Sequence, residues 1–375
     1  MKVLPMRFLF FVSVISVLFL LVGYTTWRGV QFLAVFGNYQ YIFAALAGIL
    51  FLTLLLNFLV GELLPLSLAQ LLSFLGYSYF IFIVYLFFAF LLVDIVLLVN
   101  KMIYFIPHVS LFKAVAFGVV IAGVFIAMGI GNYHFNHPKI VQLKIEANKP
   151  KQQKSIKIVA VSDLHLGFSN GKKYAQKYVE LINEQEPDLV LIAGDMVDRT
   201  VKSLLQQSIQ EDLKMIQSKD GVYAVLGNHE YFGEGIEQVQ QFFEISSIHL
   251  LKDENIPIQE DFYIIGRDDR INHNRASLAD LMEPLDRTKP VILLDHQPYN
   301  LEETINCQID LQLSGHTHNG QFFPINWFVK KMYENSYGYL KKNNTHIYVT
   351  SGLGIWGPQY RIGTQSELVV IEFGY

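Results

Sequence analysis

Cysteine is almost absent from this chain of 375 residues. Cys307 stands alone, which excludes an intramolecular disulfide and any cysteine-based zinc cluster. A single cysteine of this kind reads as a small buried apolar residue. Charge is scarce as well. Asp, Glu, Lys and Arg together make up 17% of the sequence, against roughly 25% in an ordinary soluble domain. The net charge of -4 gives no general attraction to nucleic acid. Internal repeats and low-complexity tracts are lacking. So is a recognisable leader cleavage site. Lys2 and Arg7 do precede an apolar run from Phe8 to Gly23. That run is longer than a signal-peptide core, and Tyr24-Thr25-Thr26-Trp27 offers no small-x-small site, so it is expected to stay as a membrane span.

What the chain has in excess is apolar surface. Hydrophobic residues reach 52%, and most of the surplus lies before Asn132. Four runs, roughly Arg7–Trp27, Tyr41–Val60, Phe74–Leu98 and Leu111–Ile130, meet the ~20 apolar residues a helix needs to cross a bilayer. They are apolar on every face, unlike the single stripe of a core helix. Tyr24, Trp27, Tyr39 and Tyr41 fall at span ends, where amphipathic rings suit the headgroup region. Gly61-Glu62-Leu63-Leu64-Pro65 reads as a turn, and Asp94 is expected at an interface rather than at the bilayer centre. Lys2, Arg7, Lys139 and Lys144 on one side stand against Arg28, Lys101 and Lys113 on the other, a slight lean toward a cytoplasmic N-terminus.

Three segments follow. Residues 1–131 are expected to form a membrane domain of about four helices. Residues 132–154 form a lysine-bearing polar linker with one strand at Ile140–Ile145, and residues 155–375 form a soluble domain. In the last segment apolar strands alternate with helical patterns at Lys172–Glu184, Lys202–Gln217, Ile236–Phe243 and Leu278–Leu285. The fold class expected is therefore N-terminal all-α transmembrane helices followed by an α/β domain with helices on the sheet faces.

Polar islands sit at the ends of five of those strands. Ile158–Val161 leads to Asp163-Leu164-His165, Leu189–Ile192 to Gly194-Asp195, and Tyr223–Leu226 to Gly227-Asn228-His229-Glu230. Val291–Leu294 leads to Asp295-His296, and Leu311–Leu313 to Gly315-His316-Thr317-His318. Strand C-terminal ends are where α/β sheets present their sites, so the islands converge on one edge. Unpaired His and Asp are poor core residues, and so many together read as ligands of divalent cations rather than as packing. Glycines 194, 227 and 315 suit turns in which backbone and ligands crowd together. Gly352-Leu353-Gly354-Ile355-Trp356-Gly357 matches a dinucleotide fingerprint, but Pro358 follows where a helix should begin, so it reads as a glycine-rich loop near the site. Glu230 is a candidate to accept a hydrogen bond from a ligand histidine.

In order, Asp-x-His, Gly-Asp-x-x-Asp, Gly-Asn-His-Glu, a later His and Gly-His-x-His resemble the calcineurin-like metallophosphoesterases over roughly Ile156 to Phe373. The tail Ser351–Pro358 with Arg361-Ile362-Gly363 is similar to a bacterial membrane-associated branch. The four spans make the whole resemble transmembrane proteins with a metallophosphoesterase domain. The resemblance implies a four-layer α/β/β/α sandwich and two divalent ions, Mn, Fe or Zn on the mixed donor set. It implies that Asp163, His165, Asp195 and His318 hold one ion, and that Asp195, Asn228, His296 and His316 hold the other, with Asp195 bridging. His229 is implied as the catalytic group facing substrate, with Asp198 orienting it. Arg199 falls where some members have a phosphate-contacting arginine, although Thr200 replaces their glycine.

The function expected is a membrane-anchored, multi-pass, metal-dependent phosphoesterase. It would activate a water for attack on a phosphodiester, a lipid-linked or cell-envelope one in particular. Its expected partners are the lipid bilayer and that phosphoester, with no nucleic acid. The alternative is a non-enzymatic membrane scaffold or sensor that binds metal. A lost ligand would mark that case, and every ligand is present.

Overall fold

The computed structural model describes residues 6–149, 154–233 and 235–375. Contacts divide the chain between Ile130 and Gly131. The first unit is built from α1 (Met6–Leu33), α2 (Tyr39–Val60), α3 (Leu66–Ile103) and most of α4 (Val109–Asn136). All four are long and apolar enough to cross a membrane. They extend beyond the expected runs, α3 most of all at 38 residues. Within the unit, Gly76 of α3 faces the α2 backbone. A Cβ there would lie 2.8 Å from Leu54 Cα, so only a glycine lets the two helices approach this closely. Asp94 pairs with Arg28, and Tyr24 Oη donates to its Oδ2 at 2.8 Å, so the one carboxylate of α3 is neutralised by α1.

The second unit runs through β1 (Lys139–Glu146), β2 (Ser155–Val161), α5 (Lys172–Asn183), β3 (Leu189–Ala193), α6 (Val201–Gln206), α7 (Ile209–Leu213) and β4 (Val222–Val225). It continues with α8 (Ile236–Ile245), β5 (His249–Leu250), β6 (Glu254–Ile258), β7 (Phe262–Gly266), α9 (Leu278–Met282), β8 (Val291–Leu294) and α10 (Leu301–Asn306). It closes with β9 (Leu311–Ser314), α11 (Ile325–Met332), β10 (Gly338–Lys342), β11 (Thr345–Val349) and β12 (Glu367–Gly374). Two six-stranded sheets result, in the orders β1-β12-β2-β3-β4-β5 and β10-β11-β9-β8-β7-β6. Strands β2 to β5 are parallel, as are β7, β8, β9 and β11.

The layers follow from where alternate side chains go. In β3, Leu189 and Leu191 face the core between the sheets with Ile158, Ile264, Ile292 and Leu311. Val190 and Ile192 face the opposite way, onto Ile182, Leu204, Leu213 and Phe242 of the helices. Both faces are buried, which explains why these strands read as unbroken apolar runs. On the second sheet, Ile265, Val291 and Leu293 pack on Leu278 and Met282 of α9, and Ile347 and Val349 pack on Leu301 of α10. This is the expected four-layer α/β/β/α sandwich.

Local departures have local causes. The segment 132–154 supplies more than a linker. Its strand β1 pairs in parallel with β12 along its whole length, and Ile145 is buried in the inter-sheet core. The helix expected over Lys202–Gln217 is broken into α6 and α7 at Gln207 and Ser208, where Ser208 takes φ 55°. Helices α10 and α11 come from segments in which no helix is expected.

Candidate metal centre

The five islands do meet. Strands β2, β3 and β4 are adjacent and parallel in one sheet, and β8 and β9 are adjacent in the other, so their C-terminal loops converge across the sandwich. Backbone bonds pin the loops together. Asp163 N–H donates to Gly194 O at 3.0 Å, His165 N–H to Asp195 O at 3.0 Å, and Gly315 N–H to His296 O at 2.9 Å. Crowding accounts for the glycines. A Cβ on Gly227 would sit 2.2 Å from Asp195 Oδ1, and one on Gly315 would sit 1.9 Å from Ser162 Oγ.

Asp163, His165, Asp195, His316 and His318 all hold positive φ, between 43° and 71°. That region is sparsely used by residues other than glycine, and such strain gathers at functional sites. Here it turns the side chains inward. Asp163, His165, Asp195 and His296 are almost fully buried, and His316 and His318 are half-buried.

Three clusters form with mutual ligand-atom distances under 4.8 Å: Asp163 with His165 and His318, Asp195 with His296 and His316, and His165 with Asp195 and His229. Asp195 belongs to two of them. Its Oδ2 lies 3.7 Å from His165 Nε2 and 3.2 Å from His296 Nε2. His318 Nε2 lies 3.1 Å from His165 Nε2 and 3.5 Å from Asp163 Oδ1. Asn228 Oδ1 and His316 Nδ1 meet at 2.7 Å beside the Asp195 set.

Do these residues fit cations? His165 and His318 turn ring nitrogens toward each other, yet burial first and then neighbouring cationic groups, His229 and His296 for His165 and His165 and Arg361 for His318, hold both rings neutral, His165 at about 3 and His318 well below its usual value. Two neutral rings and a carboxylate aimed at one point form a set of lone pairs that calls for a positive charge. His296 says the same. Burial opposes its protonation, but the adjacent Asp195 carboxylate pushes it well above the usual imidazole value. Its Nδ1 lies 2.7 Å from Ala193 O, which fixes the ring so that Nε2 faces Asp195. Burial works against the Asp195 charge too, yet His296, His229 and His165 hold it well below the ordinary carboxylate range. The donor set fits divalent cations.

Beside the clusters, His229 Nδ1 lies 3.0 Å from Asp198 Oδ1 and 3.1 Å from Asp198 O. Burial opposes protonation here as well, but the Asp198 bond and the Asp195 and Asp198 charges raise His229 to about 9. Phe232 and Trp356 flank its ring at 5.2 and 5.9 Å.

Three supporting residues went unread or misread in the sequence. Glu230 takes no ligand histidine. It accepts the backbone N–H groups of Gly227, Val197 and Asp195 at 2.7, 2.8 and 3.2 Å, clamping the β3 and β4 loops together. Asp295 is held by Arg267 and Arg275 at 3.3 and 3.1 Å. Arg361 is fully buried and donates to the carbonyls of Ser351, Gly354 and His318 at 2.6, 2.7 and 2.9 Å, strapping the glycine-rich loop to the His318 loop. The tail motif around Arg361 was visible, but its partners lie far away in sequence. Arg199 is half-buried, and Thr200 caps α6.

A family profile described as Calcineurin-like phosphoesterase matches residues 156–320. An uncharacterized metallophosphoesterase of Campylobacter jejuni is 32% identical over 260 residues, 68% of this chain and 68% of that protein. The chain belongs to the calcineurin-like phosphoesterase family. It is a metal-dependent hydrolase by that membership. A zebrafish transmembrane protein with metallophosphoesterase domain is 30% identical over 276 residues, 69% of this phosphoesterase but 62% of the relative. Together with the four long apolar helices of this chain, the relative's name supports reading the chain as a membrane protein. Among solved structures, a dimetal phosphatase from zebrafish aligns over 53% of this chain and 88% of its own, with 10% identity and a TM-score of 0.34.

Proposed function

We propose that this protein is a membrane-anchored phosphodiesterase that uses two divalent cations, Mn, Fe or Zn. Asp163, His165, Asp195 and His318 would hold one ion, and Asp195, Asn228, His296 and His316 the other. The observation that carries the reading is the carboxylate of Asp195, set between histidines of two clusters. Such ions, when bound, offset phosphate charge and lower the pKa of an attacking water.

The chain's own groups supply the rest. Asp198 holds His229 Nδ1, so Nε2 is free for a substrate. Raised to about 9, His229 carries its proton at neutral pH and can give it to a departing alkoxide. A proton donor matters most for a poor leaving group, and this favours alkyl phosphodiesters over activated monoesters. Membrane anchoring by four spans favours a substrate presented at the bilayer, a lipid-linked or cell-envelope phosphodiester.

The test uses the full chain in nanodiscs, with bound metal counted by mass spectrometry and turnover compared on monoester and diester probes. Two metals per chain and a diester preference are expected, and Asp195→Asn should lose both metal and turnover. Stoichiometry below two with turnover indifferent to Asp195→Asn would refute the proposal.

A further inference from the structure

Helix α11, Ile-Asn-Trp-Phe-Val-Lys-Lys-Met, is turned inside out. None of its residues is buried. Ile325, Phe328 and Met332 follow helical spacing on one stripe, and they are 43%, 63% and 66% exposed. Trp327 beside them is 62% exposed, and Phe323 packs edge-on to it at 4.8 Å. In water an eight-residue helix needs tertiary burial of its apolar stripe, and here that stripe faces outward.

The helix is tied to the metal-ligand loops at both ends. At its start, Asn326 packs so closely that a Cβ on Gly320 would lie 2.4 Å from Asn326 Cα, and Gly320 is in the turn that begins at His318. At its end, Tyr333 bonds Tyr299 through their hydroxyls at 2.8 Å, and its ring centre lies 6.3 Å from that of His316. The exposed stripe is thus a fixed part of the site's rim.

The chemistry of the helix selects the occupant. Lys330 and Lys331 close its last turn, both exposed. Aliphatic residues, a tryptophan and paired lysines on one short helix match an anionic lipid surface. Apolar side chains and indole sit at the headgroup boundary there, and lysines near the surface are drawn to its anionic lipids. We propose that α11 is a bilayer-contact helix, whose Ile325–Phe328–Met332 stripe and Trp327 enter an anionic lipid surface and hold the ligand loops at the headgroups. The proposal rests on the phosphodiesterase reading and narrows its substrate to a phosphoester embedded in that surface.

The test starts from the full chain with Cys307→Ser, which leaves no other cysteine. Trp327→Cys is labelled with an environment-sensitive fluorophore in nanodiscs of phosphatidylcholine and phosphatidylglycerol. Met215→Cys is the control, since Met215 is exposed and precedes β4, at the sheet edge opposite the ligands. The label at 327 is expected to lose most of its emission to doxyl lipid and to resist aqueous iodide, and the label at 215 to do the reverse. Iodide reaching both labels equally would overturn the proposal. So would a label at 327 shielded from iodide yet untouched by doxyl lipid, because a protein surface would then cover the stripe. In parallel, Trp327→Ser with Phe328→Ser should slow a lipid-anchored p-nitrophenyl phosphodiester about tenfold, through lost local concentration. Turnover of soluble bis(p-nitrophenyl) phosphate should stay unchanged. Equal effects on both probes would also overturn it. If the unmodified chain cleaves neither probe, the phosphodiesterase reading fails, while the quenching result still decides what α11 touches.

Discussion

His229 is the residue whose environment makes the sharpest demand. A general acid works only while protonated, so turnover of an alkyl phosphodiester should fall as pH rises through about 9. His229→Gln should remove that limb and cost on the order of 10²–10⁴ in kcat with the alkyl leaving group, with little loss when the leaving group is p-nitrophenolate. Asp198→Asn should move the limb to lower pH, because the bond and charge that raise His229 would be gone. A limb that stays in place in both variants would assign it to another group. Glu230 makes a different kind of prediction. Its two oxygens accept three backbone N–H groups, and Glu230→Gln would turn an amide N–H₂ toward one set of those donors. The expected outcome is a folded protein destabilised by about 1–3 kcal/mol. Metal affinity should also be down by roughly 10–100-fold, since both ligand loops lose their clamp. Thermal melting and metal titration read the two effects separately.

Among the elements, strands with ligands at their ends were the most legible. They are buried on both faces, so β3, β4 and β8 stand out as unbroken apolar runs and β2 and β9 as mostly apolar ones, and the polar residues that follow are conspicuous. The convergence of the ligands was readable for the same reason, since five parallel or neighbouring strand ends have one edge to share. Arg361 and Glu230 were not readable as clamps, because their partners are backbone groups of distant loops, which no side-chain pattern marks. Helix α11 was missed because its eight residues are too short for periodicity to show, and no apolar stripe of it is buried in the core. In the sequence, strand β1 reads as a strand within a linker. Its alternating, half-exposed pattern fits an edge strand, and only the pairing with β12 reveals its sheet. That pairing is testable. Ile145 is 1% exposed within the inter-sheet core, so Ile145→Ala should cost about 2–5 kcal/mol if β1 belongs to the folded unit. Unchanged melting of the soluble domain would return the segment to the status of a tether.

At the scale of the whole molecule, the clustered donor groups on their own work against the fold that carries them. Asp163 and Asp195 lie buried against each other, and burial together with that second charge raises Asp163 to about 6. Five of the candidate metal-binding residues hold strained positive φ, at of order 1–3 kcal/mol each. Neutral His165 and His318 face each other with their lone pairs converging. Cations would offset the carboxylate repulsion and satisfy the imidazole lone pairs at once, so metal binding and folding stability should be linked. The second unit is therefore expected to lose stability when a chelator strips the full chain at neutral pH. It should regain about 2.7 kcal/mol when metal is restored to 100 times its dissociation constant. The linkage has a pH sign of its own. Without metal, Asp163, raised to about 6, adds stability as pH falls through that value. His165 and His316, each lowered to about 3, and His318, lowered as well, remove it because the unfolded chain takes up their protons first, so the apo state should weaken on acidification. The metal-loaded state should weaken more steeply over the same range, as protons also compete with metal for these side chains. Melting curves of the two states should therefore converge on acidification, and parallel curves between pH 7 and 5 would show that these residues do not bind a cation as a linked set.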